Sequence, residues 1–193
     1  TENDELIPVP AHGVKRLSLG RLINESDPVA VRGPLATRYV QQFLRNVAWG
    51  DVDFLILDLP PGTGDIQLTI VQTAELDGVV VVTTPQEVAL IDARKAIGLF
   101  ERVETPILGI IENMSYFQCP SDGKIYHIFG EGGGEREAAK LGVPLLGKIP
   151  LDISTRSGGD EGRPVALEDP GQNPVSAAFR QVAEQCARVV LDR

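Results

Sequence analysis

The chain has 193 residues, 42% of them apolar and 23% charged, enough to bury one sizeable core and typical of a globular protein. Its formal charge of −9 and pI near 4.7 argue against nucleic acid as a partner, because phosphate neutralisation needs clustered Lys and Arg. No run approaches the roughly 18 apolar residues that span a bilayer, the acidic start TENDEL lacks both regions of a signal peptide, and two cysteines are too few for a disulfide scaffold; the expectation is a cytoplasmic protein with no membrane partner.

Short apolar runs alternate with segments of helical period, the pattern of an α/β fold with a mostly parallel sheet covered by helices, expected as a single domain over 1–193. In chain order, a strand is expected over Lys15–Leu19. A helix follows from the spacing of Tyr39, Val40, Phe43, Leu44 and Val47. The run Phe54–Leu57 is continuously apolar, as in a strand buried on both faces, and a helix is expected to begin near Asp65. A second doubly buried strand is expected at Val79–Thr83, then a helix carrying Val88, Ile91, Ala96, Ile97, Phe100 and Val103, then a strand at Ile107–Ile111.

The segment 116–129 breaks this rhythm. Its Asp-Gly pair lies between Tyr116-Phe117 and Lys124-Ile-Tyr-His-Ile-Phe129, which predicts a small β-hairpin. A helix is expected over Glu135–Leu141 after Gly132–Gly134, and a strand over Leu145–Ile149. From Asp152 to Asn173 the Gly, Asp and Pro content predicts a surface loop with little regular structure. Pro174 opens a final helix whose stripe of Val175, Phe179, Val182, Cys186, Val189 and Val190 puts Cys186 in the core.

The most informative motif is Asp53-Phe-Leu-Ile-Leu-Asp58-Leu-Pro-Pro-Gly62-Thr-Gly64-Asp65. A strand ending in Asp58 delivers a carboxylate to the C-terminal edge of a parallel sheet, where open α/β folds bind ligands. There it can hold magnesium, usually through water, while Gly62 and Gly64 let backbone approach a phosphate and the next helix offers free N–H groups. A solvated strand end and a glycine turn fit the same spacing. Thr83-Thr84-Pro85-Gln86 and Glu112-Asn113-Met114-Ser115 end two further strands with polar side chains at that edge, and the Asn113 amide could read a nucleobase. Each taken alone reads as mere strand termination, but three polar strand ends at one edge favour a shared site.

A phosphate-binding loop of the form Gly-x-x-x-x-Gly-Lys-Ser/Thr has one near match, Gly142-Val-Pro-Leu-Leu-Gly147-Lys148-Ile149. Ile149 has no oxygen for magnesium, and the apolar Val-Pro-Leu-Leu centre belongs in a strand. In Tyr116-Phe-Gln-Cys119-Pro-Ser-Asp122-Gly-Lys124, Cys119 looks like half of a Cys-x-x-Cys knuckle with Asp122 in place of the second thiolate. The plain reading is a hairpin cysteine. One thiolate cannot hold zinc or an iron–sulfur cluster, so a metal reading requires two hairpins meeting across a dimer axis, or recruitment of His127.

Taken together, HGVKRLSLG, VRGPL, DFLILDLPPGTGDIQLTIVQ, GVVVVTTPQEVALIDARKAI, LGIIENMSYFQCP, IFGEGGGEREAAKLGVPLLGKIPLD and GDEGRPV, running from His12 to Val165, resemble the Mrp/ApbC-type iron–sulfur cluster carriers, a branch of the deviant-Walker, MinD-like P-loop ATPases. The resemblance implies a doubly wound fold of the P-loop NTPase type that dimerises, binds ATP with magnesium, and carries a transferable iron–sulfur cluster, bridged by cysteines of both subunits, to iron–sulfur apoproteins. It implies that Asp58 is the Walker B acid, Asn113 the base-contacting residue, Pro150-Leu151-Asp152 the segment lining the base, and Cys119 the first cysteine of the cluster motif.

Two departures stand out. Asp122 replaces the second cysteine and offers oxygen ligation instead. The family's N-terminal strand, phosphate loop and helix have no counterpart in this sequence, so the chain reads as a C-terminal portion unable to hydrolyse ATP alone. In the family that strand lies beside the one ending in Asp58. Its absence is therefore expected to expose unpaired edges on two apolar strands, which favours closure of the gap by rearrangement, a homodimer, or a complementing N-terminal fragment. The alternative is a non-catalytic assembly or interaction module that keeps the fold and dimer surface only.

Overall fold

The structure is a computed structural model that describes residues 5–18, 33–59 and 65–192. These fall into two compact units, divided between Glu75 and Leu76.

In the first unit, β1 (Val9–Ala11) and β2 (Val14–Arg16) pair antiparallel, with Ala11 opposite Val14. The turn residues His12 and Gly13 both have positive φ, +52° and +80°, the two-residue geometry that suits the twist of paired strands. The strand expected at Lys15–Leu19 is thus half of a local hairpin rather than a member of the parallel sheet, and Leu19 lies outside the described residues. Helix α1 (Gly33–Arg45), on the segment whose apolar spacing predicts a helix, packs against α2 (Asp65–Thr73), which begins at Asp65 as expected. Beyond α1 the Trp49 indole donates to the Phe43 carbonyl at 3.1 Å, and Val47 is buried where Leu6 bridges to it.

The strand predicted at Phe54–Leu57 does not form. Phe54 and Leu55 are half exposed and Ile56 is 88% exposed. An apolar run becomes a strand only when a neighbour takes up its N–H and C=O groups, and among the described residues none pairs with this segment.

The second unit holds a parallel sheet in the order β3 (Val79–Thr83), β4 (Ile107–Glu112), β7 (Leu145–Lys148). The crossover from β3 to β4 is α3 (Glu87–Arg102), and that from β4 to β7 includes the hairpin β5 (Phe117–Gln118), β6 (Ile125–Tyr126) and helix α4 (Gly133–Leu141). Val81, Ala93, Ile97, Ile110 and Ala138 form the core between sheet and helices α3 and α4. The last helix, α6 (Pro174–Leu191), packs on β7 and β4, completing the doubly wound α/β arrangement. Its start is capped by Asn173, whose Oδ1 accepts from Val175 N–H at 2.8 Å and Ser176 N–H at 3.3 Å. Cys186 is half-buried on α6 rather than fully in the core.

Gly132–Gly134 have a steric reason. A Cβ on Gly133 would stand 2.5 Å from the Pro85 carbonyl oxygen, and one on Gly134 would stand 3.0 Å from Cβ of Glu112. Only glycine lets α4 begin that close to the ends of β3 and β4.

The expected loop from Asp152 to Asn173 contains helix α5 (Ile153–Asp160) and a 3₁₀ turn, Val165–Leu167. Asp152 caps α5, accepting from Thr155 N–H at 2.8 Å. Gly158, which weakens any helical reading of the sequence, is required there: its Cβ would fall 2.4 Å from the Arg163 carbonyl, where the chain folds back.

Candidate functional site

Three of the predicted site segments meet at the C-terminal edge of the sheet in the second unit. Asn113 follows β4, and its N–H donates to the Thr83 carbonyl at 2.7 Å. Its side-chain Oδ1 accepts from the N–H of Met114, a residue held at a left-handed φ of +52°. Beyond that kink the chain resumes beside the end of β7. Ser115 N–H donates to Ile149 at 2.9 Å, Ile149 N–H to Glu112 at 2.9 Å, and Leu151 N–H to Tyr116 at 2.7 Å. Pro150 is buried in this seam, and Phe117 bridges to Leu151. The β5–β6 hairpin is thereby tethered to the sheet edge by backbone bonds.

At the hairpin tip, Cys119 N–H donates to the Lys124 carbonyl at 2.9 Å and Gly123 N–H to the Cys119 carbonyl at 2.8 Å, with Gly123 at φ +71°. The Cys119 thiol sits 3.0 Å from the Ser121 hydroxyl. That hydroxyl, followed by the backbone N–H groups of Ser121 and Asp122, holds the Cys119 pKa below the usual thiol range; burial and the Asp122 carboxylate work against them. Hydrogen-bond donors gathered at the sulfur in this way favour the thiolate. Asp122 is turned into its own loop: Oδ1 accepts from Lys124 N–H at 3.0 Å and Oδ2 lies 3.5 Å from the Lys124 ammonium. The Lys124 N–H leads in keeping that carboxyl below its ordinary range. Beside the hairpin an apolar groove opens between Phe117, Ile128, Leu151 and Ile153, and Ile125, Ile128 and Ile153 are exposed.

In the first unit Asp58 is exposed, and Gly62 lies outside the described residues. A lone carboxylate supplies one hard oxygen, and no three His, Cys, Asp or Glu gather as a metal site among the described residues. Those residues alone do not compose a magnesium site. The rejected phosphate-loop match is indeed strand β7, with the Lys148 ammonium on Glu135 at 2.9 Å.

Two carboxylates make structural hydrogen bonds here, and the sequence reading named only the first as a site residue. Asp152, predicted to line a base, spends its carboxylate on the α5 cap; burial raises its pKa, but Ser154 and Thr155 outweigh that and lower it. The local signal of the cap is Asp152 standing directly before Ile153, the first helical residue. Glu112 is 0% exposed, its carboxylate accepting from the Ser115 hydroxyl at 2.5 Å and Gly134 N–H at 2.6 Å. No local signal marks a glutamate at a strand end as buried.

Among curated proteins, the chain is 48% identical over 172 residues to the iron-sulfur cluster carrier protein of Pyrococcus furiosus, covering 89% of this chain and 58% of that one. It is 45% identical over 184 residues to the iron-sulfur protein required for NADH dehydrogenase, mitochondrial, of Arabidopsis thaliana, covering 95% and 58%. The chain thus spans under two thirds of the length of these relatives. Among solved structures, a nucleotide-binding protein of Archaeoglobus fulgidus in complex with ADP matches with a TM-score of 0.70 and 39% identity, covering 83% of this chain and 63% of that one. The cell division ATPase MinD of Pyrococcus furiosus, at 24% identity and a TM-score of 0.59 over 79% of this chain and 59% of its own, shares the fold. A profile of ParA-type proteins, described as NUBPL iron-transfer P-loop NTPase, matches residues 1–187. With that match over nearly the whole chain and identities of 45–48% to the two curated relatives, the chain belongs to this family of iron-transfer P-loop NTPases.

Proposed function

We propose that this chain is the cargo-bearing portion of an iron–sulfur cluster carrier, in which Cys119 ligates the cluster and a second copy of the chain supplies its own Cys119. The observation that carries the reading is the Cys119 turn, where the Ser121 hydroxyl and two backbone N–H groups favour a thiolate on a hairpin bonded to the sheet edge. The names of the Pyrococcus and Arabidopsis relatives support it. Exposed Ile125, Tyr126, Ile128 and Ile153 around the hairpin suit a dimer contact. Transfer is then ligand exchange, thiolates of an iron–sulfur apoprotein replacing Cys119 with no net redox change.

Asp58, Gly62, Asn113, Pro150 and the backbone of Asp152 belong to the nucleotide side of this reading, supported by the ADP complex of the Archaeoglobus relative. A single exposed Asp58 carboxylate does not by itself make a magnesium site. The 193-residue chain alone is expected to leave ATP unhydrolysed, since it carries no phosphate loop with a lysine. A complementing N-terminal fragment would add strand and loop beside β3, an edge strand among the described residues on which Val82 is 59% exposed.

Anaerobic reconstitution with iron and sulfide tests the carrier reading. A brown, dimeric product whose absorbance is lost in Cys119→Ala supports it. A colourless product from the unaltered chain overturns it in favour of a non-catalytic assembly module, a reading that draws on there being one cysteine at the hairpin and no three-ligand cluster among the described residues.

A further inference from the structure

We propose that Glu112 is a positioning residue that sets where the Cys119 hairpin stands on the sheet. It rests on the carrier reading only for its consequence at the cluster; the geometry stands without it. Glu112 ends β4 with a carboxylate fully removed from solvent, and a buried carboxylate persists only where donors replace water. Two do so from different directions: the Ser115 hydroxyl to Oε1 at 2.5 Å and the Gly134 N–H to Oε2 at 2.6 Å.

These two bonds join three segments. Ser115 lies on the connection between β4 and the hairpin, past the left-handed Met114 that turns the chain. Gly134 lies in the first turn of α4, whose Gly132 N-cap supplies no side-chain bond, so Glu112 satisfies from across the sheet a donor that the helix leaves open. Gly133 in turn rests against the Pro85 carbonyl at the end of β3. The chain leaving Ser115 then makes the Leu151–Tyr116 bond and the Phe117 bridge that seat the hairpin. A pull on Ser115 is therefore a pull on the hairpin's root, and the Glu112 carboxylate is the group that holds it against α4.

The role is one of hydrogen bonding rather than charge, which makes the variants diagnostic. In E112Q the amide oxygen accepts from Gly134 N–H while its NH₂ donates to the Ser115 hydroxyl, which turns to accept, so both links survive. In S115A one link is lost with little change in volume. In E112A both are lost. G134A keeps both partners but drives a Cβ to 3.0 Å from that of Glu112.

Amide hydrogen exchange on the chain, read together with the reconstituted chromophore, tests this. S115A and G134A should exchange the Ser115 and Leu151 amides roughly tenfold faster, with Ile110 N–H in the sheet core unchanged and E112Q close to the unaltered chain. Their chromophores should bleach faster than that of E112Q. Unchanged exchange at Ser115 and Leu151 in S115A overturns the proposal, as does equal acceleration at Ile110, which would make Glu112 a general stabiliser. A colourless unaltered chain sinks the carrier reading instead, and the exchange pattern still decides the role of Glu112. E112A extends the series if it folds, but the decision rests on S115A and E112Q.

Discussion

Gly147 in β7 lies directly against Val182 of α6: a Cβ on Gly147 would stand 2.5 Å from Cγ2 of Val182. Valine is stiff about χ1 and cannot swing away, so the contact sets how closely α6 rides on the sheet. Gly147→Ala is expected to cost about 1–3 kcal/mol of unfolding free energy by overpacking, with Val182→Ala restoring part of it on that background. Urea titration of the four-member cycle measures this; additive losses would mean that the two side chains do not meet.

Arg94 of α3 grips Glu137 of α4 through two bonds, Nε to Oε2 at 2.9 Å and a terminal nitrogen to Oε1 at 2.6 Å, and reaches Glu87 at 2.8 Å. The bonds to Glu137 lead in raising the Arg94 pKa, and that from Arg94 leads in holding the Glu137 carboxyl below its usual range against the effect of burial. A depressed carboxyl contributes stability that is complete above its unfolded pKa, about 4.3, and is lost as pH falls through the lower folded value. In Arg94→Met burial, which favours the neutral form of Glu137, is opposed only by the charges of Lys140 and Arg136. The variant should be clearly less stable near neutral pH, with the gap narrowing towards about pH 3. Denaturation midpoints at the two pH values check the sign; a gap that widens in acid would refute it.

The Asp152 cap should be worth about 1 kcal/mol, lost in Asp152→Ala and nearly kept in Asp152→Asn, because both Asp and Asn accept from the first-turn N–H groups. Faster exchange of the Thr155 amide in the alanine variant alone would locate the effect at α5. Equal behaviour of the two variants would mean that charge rather than capping matters.

Ser121→Ala removes the leading cause of the lowered Cys119 pKa, so alkylation of Cys119 should require higher pH in that variant. Cys186, whose thiol is pushed up by burial, should react more slowly throughout. Peptide-resolved alkylation rates against pH decide it, and an unshifted profile in Ser121→Ala would mean that the Ser121 hydroxyl does not favour the thiolate.

Asp122→Cys supplies the second thiolate of a Cys-x-x-Cys pair at the cost of the Asp122–Lys124 turn bond. More iron and sulfide should be retained per chain after reconstitution. If Asp122→Ala retains as much as the unaltered chain, oxygen ligation by Asp122 is excluded.

The sequence by itself determined most of the second unit, because its signals are local. The valine run of β3, the 3.6-residue spacing of α3, the Pro174 start of α6 and the Asp-Gly turn of the hairpin each act within a few residues, and each formed its element, although β3, expected to be buried on both faces, is an edge strand among the described residues and leaves Val82 59% exposed. Cys119 and Asn113 could be singled out as candidates from their local surroundings, whereas Pro150 came only from the resemblance to the family. What needed a partner distant in the chain was decided only in three dimensions. Phe54–Leu57 has the composition of a buried strand but no described neighbour to pair with, and Lys15 found its partner locally across the His12-Gly13 turn. The Asp152 carboxylate went to a helix hidden by Gly158, a glycine required by the returning chain at Arg163. Glu112, to the sequence only a polar strand end, became the buried link between hairpin and helix, because the donors that replace its water come from Ser115 and Gly134, and only the packed fold brings them together.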